Sequence, residues 1–199
     1  MGRMFFAFAV LLLASCRKVE PKEFVPPAPS NITASVEPMI DPRPCVVVTA
    51  EAEIGVTETG TNSGPRVNEY LASTKLGPGY PWCASMQHWV LRQCGTVLEP
   101  AREYAAAAKF SKVGIVFKKG ELDRYISQQR ISEDGDLFTL YYSSLGRVGH
   151  VGMIIGEDED DVTTIEGNGS VSGSREGTTV VRRTRDKETL WTVNHIARQ

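Results

Sequence analysis

The sequence predicts an α+β domain, with helices first and an antiparallel sheet second. Two observations predict it. Between Cys45 and Cys94 the apolar residues recur at three- and four-residue spacings, the period of a helix with one covered face. After Phe110 they gather instead into short runs divided by Gly- or Asp-rich turns, as in strands that fold back on one another. Helices and strands that segregate along the chain make α+β, and short connections between strands make the sheet antiparallel. A chain of 199 residues with 41% hydrophobic and 23% charged side chains is neither disordered nor a many-pass membrane protein. A net charge of −2 gives no reason to expect nucleic acid as a partner.

The N-terminal stretch precedes this domain and has its own character. Arg3 supplies a short positive region, and Met4 to Leu13 is an apolar run shorter than the roughly 20 residues a membrane-spanning helix needs. It ends Leu13-Ala14-Ser15-Cys16, which resembles the bacterial lipobox. That resemblance implies lipidation of Cys16 and anchoring to a membrane of the cell envelope; an ordinary cleaved signal peptide is the alternative. Residues 17–44 are crowded with Pro21, Pro26, Pro27, Pro29, Pro38, Pro42 and Pro44 and have little apolar periodicity. They read as a semi-extended linker, at most roughly 85 Å long at the polyproline rise.

The folded domain is expected over 45–199. Val46 to Val56 reads as a helix ending near Gly55 to Glu58, although its valines also suit a strand. Thr59 to Pro65 is a loop, and Arg66 to Leu76, closed by Gly77, is a second helix. Pro81 fixes φ just ahead of a third, from about Trp82 to Cys94, with Gly95 as its natural terminator. Cys83, Met86, Val90 and Cys94 share one face, so Cys94 reads as a buried thiol. A Cys45–Cys94 bridge is the alternative that an oxidising compartment permits. Pro100 to Ala108 is an alanine-rich turn of helix. Strands follow at 114–117, 137–141, 148–156, 162–166, 178–184 and 190–196. The acidic tip Glu157 to Asp161 lacks the alternation of a calcium loop and reads as a solvated turn.

Cys83 stands in the first turn of its helix, where unpaired N–H groups and the helix dipole favour a thiolate. Such a nucleophile needs a base, and the base needs a partner to orient it. Of the three histidines, His88 lies about 140° round the helix from Cys83. His195 sits near the C-terminus and reads as a surface residue. His150, within Gly149-His150-Val151-Gly152, opens an apolar strand, with glycines that would let a substrate approach. Glu166 and Asn168 lie two apart on the strand expected to pair with it across the acidic turn. In an extended chain both leave on one face. One could accept the Nδ1–H of His150; the other could steady the site or an oxyanion. Four cysteines without a CxxC pair, and three scattered histidines, show no metal-site spacing; no cofactor is implied.

Pro81-Trp82-Cys83-Ala84, Gly135-Asp136-Leu137-Phe138, Gly149-His150-Val151-Gly152 and Ile165-Glu166-Gly167-Asn168, in this order, resemble the cysteine, histidine-dependent amidohydrolase/peptidase (CHAP) family of the papain-like and NlpC-like group. The likeness spans about Ala50 to Arg185. It implies a papain-like fold, Cys83 as nucleophile, His150 as base, Glu166 as orienting acid and Asn168 beside it. It also implies an activity, hydrolysis of a muramoyl–L-alanine or peptide amide in peptidoglycan, by a chain read as a monomer. A catalytically idle wall-binding lipoprotein, or an amidase acting outside the wall, are the alternatives. No wall-binding module is visible, and the lipid anchor would take its place.

Overall fold

In the computed structural model, residues 41, 43–120, 130–170 and 177–196 are described, all within the unit Ile40–Gln199. The signal segment 1–16 with its lipidation candidate Cys16, and the linker 17–44 apart from 41, 43 and 44, lie outside the described residues. Three helices come first: α1 (Cys45–Ala52), α2 (Pro65–Ser73) and α3 (Cys83–Gln93). A short 3-10 turn, Ala101–Ala105, and the four-residue helix α4 (Ala107–Phe110) lead into the strands. These are β1 (Ile115–Lys118), β2 (Leu137–Tyr142), β3 (Arg147–Glu157), β4 (Asp161–Gly169), β5 (Thr179–Asp186) and β6 (Thr192–Asn194). They form one six-stranded sheet in the order β1-β6-β2-β3-β4-β5, each neighbouring pair antiparallel. The α+β class and the antiparallel sheet are as expected.

The valine-rich segment is a helix, not a strand. Val47 and Ala50, one helical turn apart, are buried, and the following Gly55 N–H donates to the Val180 carbonyl, docking the exit of α1 on β5. Pro65 at the first position of α2 needs no N–H partner there. Arg66 joins α2 to both neighbours. Its Nε donates to Glu53 at 2.8 Å, and its guanidinium lies 4.3 Å from the Trp89 ring of α3.

Cys94 is not a buried thiol. It is bonded to Cys45, with Cα atoms 5.8 Å apart. The sequence pattern placed Cys94 on a covered face of α3, but what covers it is the start of α1, and that brings the second sulfur within reach. Among the described residues, Cys83 is the free cysteine, and no helix is long and apolar enough to cross a membrane.

The sheet separates two apolar clusters. Leu137, Val148, Val151, Met153, Ile165 and Val180 join the helices, while Phe117, Phe138, Leu140, Ile154, Val162, Leu190 and Val193 form the other cluster. Leu137/Phe138 and Met153/Ile154 split between the clusters, as alternation along a strand requires. The register shifts at four places among the described residues, and two of these bulges lie beside the candidate residues. In β3, Gly149 is the extra residue between His150, opposite Leu140, and Val148, opposite Tyr141. In β4, the register to β5 slips between Glu166 and Gly169, and Asn168 adopts φ 54°. Bulges re-aim side chains, and these two flank the residues singled out in the sequence.

Candidate active site

Trp82 sets where Cys83 stands. Its ring is fully buried, stacks on Tyr70 with centroids 5.6 Å apart, and its Nε1–H donates to Glu58 at 2.7 Å. Its backbone N–H donates to Asn168 Oδ1 at 3.1 Å. Gly167 permits this approach of helix to sheet: a Cβ there would lie 2.8 Å from the Trp82 ring and 3.0 Å from Met86 Cβ. The first turn of α3 is thereby pressed onto β4, and Cys83 is its first residue.

The groups beside the Cys83 sulfur that favour its thiolate are the His150 ring and the backbone N–H groups of Val151 and Ala84. Burial pushes the thiol up, but the histidine and the two amides outweigh it, and the thiol is held below its ordinary value. His150 Nε2 lies 2.7 Å from Glu166 Oε2, which leaves Nδ1 for the sulfur. This corrects the expected partner of Nδ1: the carboxylate takes Nε2. Burial pushes the imidazole down, and its bonds to Cys83 and Glu166 more than reverse this, raising it to about 9. Both shifts run toward a thiolate–imidazolium pair.

Glu166 is fully buried. Burial would favour its neutral acid, but Arg185 and His150 hold it ionised well below the usual carboxylate range. Arg185 grips both of its oxygens, Nε on Oε1 at 2.5 Å and Nη2 on Oε2 at 2.6 Å. Thr164 Oγ1 adds a donor to Oε1 at 2.7 Å. Gly152 leaves the passage: a Cβ there would sit 2.8 Å from Glu166 Cγ. The charges thus alternate along a row: sulfur, imidazole, carboxylate, guanidinium.

The sequence reasoning missed Arg185. It stands 19 residues beyond Glu166 on another strand, and the expected strand stopped at Thr184. The available signal was an arginine on the strand pairing with that of Glu166. Asn168 is close by but not on the histidine. Its amide group donates to the Gly177 carbonyl and its oxygen anchors the start of α3, because the bulge turns it away from the face Glu166 uses. The glycines beside His150 also serve packing. A Cβ on Gly149 would lie 2.6 Å from the Tyr142 ring, so its space is filled by protein.

The other histidines are engaged elsewhere. His88 is buried, with Nδ1 3.0 Å from Ser73 Oγ and Nε2 3.4 Å from the Leu98 carbonyl. His195, expected to be a plain surface residue, has Nδ1 2.8 Å from Asp136 Oδ1, which ties the C-terminal end to the turn before β2. Among the described residues, no group of three or more His, Cys, Asp or Glu is placed to hold a metal ion.

A cleft of about 530 Å³ lies over the row. Cys83, His150 and Asn168 line it together with Tyr80, Pro81, Ala105 to Ala107, Leu145, Arg147 and Gly149. Cys83 is 7% and His150 5% exposed, so each presents only an edge to that space. A thiolate at a helix start, an imidazolium beside it and a carboxylate behind can attack a carbonyl and protonate its leaving group. No family model matches the chain, and no curated protein matches it in sequence.

Proposed function

We propose that this protein is a papain-like, CHAP-type cysteine amidohydrolase that cleaves an amide bond in peptidoglycan. The observation that carries the reading is the hydrogen-bonded row Cys83–His150–Glu166 at the foot of a cleft. A core cysteine needs neither a charged histidine nor a cleft.

In this reading the Cys83 thiolate attacks the amide carbonyl carbon, and the carbonyl electrons move onto oxygen. The Cys83 backbone N–H, in the first turn of α3 and without an intrahelical acceptor, is one donor for that oxyanion. Collapse expels the amine, which takes the proton from His150, and leaves a thioester on Cys83. The neutral imidazole then removes a proton from water, whose oxygen displaces the sulfur. The acid leaves, and thiolate and imidazolium are restored. Glu166 keeps the ring oriented through both halves, and Arg185 keeps Glu166 ionised.

The envelope setting rests on the lipobox-like Leu13 to Cys16 and is supported by the Cys45–Cys94 disulfide, a bond that persists in oxidising compartments. A lipid on Cys16 and the linker 17–44 would hold the hydrolase against the membrane, within reach of the wall. Incubating purified sacculi with wild type and Cys83→Ala, with mass spectrometry of the released fragments, tests the assignment. Soluble peptide or amine-terminated fragments are expected only from the wild type; equal release by both proteins refutes it.

A further inference from the structure

The cleft carries charge of one sign. Arg102, from the 3-10 turn after Pro100, and Arg147, the first residue of β3, both line it, and among the described residues no Asp or Glu does. The chain as a whole is slightly acidic, so this is a local arrangement and not a consequence of composition. Among the described residues, neither guanidinium has a carboxylate within ion-pair distance, whereas Arg43, Arg66, Arg182 and Arg185 each hold one. Arg102 lies over the Tyr80 ring at 5.9 Å, and Arg147 Nη1 reaches only the neighbouring Val148 carbonyl, at 3.3 Å. Each therefore keeps donors for a ligand. Leu76, Pro81, Ala105 to Ala107 and Leu145 also line the cleft, apolar side chains whose low-dielectric walls concentrate the field of the two cations.

The two arginines come from different elements, one from the 3-10 turn before α4 and one from the start of β3, and line the same cleft as Cys83 and His150. We infer that Arg102 and Arg147 select substrates with free carboxylates close to the scissile amide, so that the enzyme takes acidic peptides and discriminates against their amidated or basic counterparts. This rests on the hydrolase reading above and adds which side chains of the peptide it recognises. A guanidinium recognises a carboxylate through paired N–H donors, and neutralising that carboxylate leaves the donors without their acceptor. Binding energy of this kind at the cleft positions the carbonyl over the sulfur.

The test uses the full chain, an acidic muropeptide, and the same peptide with its carboxylates converted to primary amides. For the wild type, kcat/KM should be about tenfold or more higher on the acidic form. In Arg102→Gln/Arg147→Gln the two forms should be turned over within about twofold of each other, and Arg147→Glu should favour peptides carrying a free lysine. A second readout does not need turnover: protection of Cys83 from iodoacetamide by each peptide. The acidic peptide should protect wild type at lower concentration than the amidated one, and the double variant should show no such gap. Both arginines are exposed, and a wild-type alkylation rate without peptide certifies that the variants are folded. Equal protection by the two peptides, or a preference that survives in the double variant, overturns the inference. Unequal protection without any turnover leaves the carboxylate recognition standing and removes the hydrolase reading.

Discussion

Two histidines in this molecule are almost equally buried, His150 at 5% and His88 at 4% exposed, and burial does opposite things to them. Around His88 there is a hydroxyl, a carbonyl and, at longer range, the charges of Arg92 and Lys75. Burial dominates there, the ring is held below its ordinary value and stays neutral. Around His150 a carboxylate and a thiolate reverse the same penalty, and the ring is held charged. Both sites are ordered and hydrogen-bonded. Only His150 has an ionised acid bonded to its ring; His88 lines a separate pocket of about 200 Å³ whose charged groups, Arg92, Lys75 and Glu99, act on it without a bond to the ring. Burial without a bonded charge thus holds a histidine's proton affinity down; an ionised acid fixed beside the ring holds it up.

The contrast can be broken most severely at the rings themselves. His150→Ala should lower turnover of a peptide amide by about 10⁴-fold or more, because it removes the base and with it the thiolate. His88→Gln should leave turnover within about twofold. Steady-state kinetics on the same substrate compares them, and a comparable loss in both would dissolve the distinction.

Glu166→Gln comes next. It leaves the Arg185 guanidinium beside a neutral amide in a largely covered position, so stability should fall by about 3 kcal/mol in urea titration. Activity should fall by about 10² or more, and His150 should drop from about 9 toward its ordinary 6.5. An unchanged alkaline limb of the pH–rate profile in that variant would show that Glu166 does not hold the charge.

The third expectation concerns the shape of that profile in the wild type. Thiolate forms below the ordinary thiol value, and imidazolium persists to about 9, so activity should rise on an acid limb set by Cys83 and fall above about 9 as His150 loses its proton. Iodoacetamide labelling of Cys83 should show the same early acid limb, well below pH 9.0. Labelling that follows an ordinary thiol titration would remove the ion pair from the account.

The smallest effect belongs to His88. Its folded value is depressed, so its contribution to stability is present above the unfolded value of 6.5 and is lost as pH falls through the lowered one. The Tm of the wild type should therefore decline below pH 6.5 more steeply than that of His88→Gln. The His150 contribution runs the other way, complete below 6.5 and lost as pH rises through about 9.

Much of the site was legible in the sequence because its signals are local. A proline, a tryptophan and a cysteine at a helix start are adjacent in the chain, and a histidine strand joined to a glutamate strand by a tight acidic turn places His150 and Glu166 16 residues apart. β3 and β4 are neighbours in the chain, and so they pair. What escaped depends on register and on packing between distant segments. Arg185 reaches Glu166 only once β5 is paired with β4, and no local pattern announces which of its arginines turns inward. Asn168 follows Glu166 by two residues, yet a single extra residue in β4 cancels the alternation that would have put them together. The Cys45–Cys94 bond needed α1 laid against the end of α3, an arrangement of tertiary origin.

That bond has a topological consequence. It closes a ring between Cys45 and Cys94, 49 positions apart, that includes α1, α2 and all of α3, with the exposed turn Gly77–Tyr80 beside the cleft as part of its rim. A protease cutting that turn would separate the segment carrying Glu58 from the one carrying Cys83, yet both pieces would stay covalently one molecule. The nick would show on a denaturing gel only after a reductant was added, and the clipped domain would keep both halves of its helical layer tethered to each other.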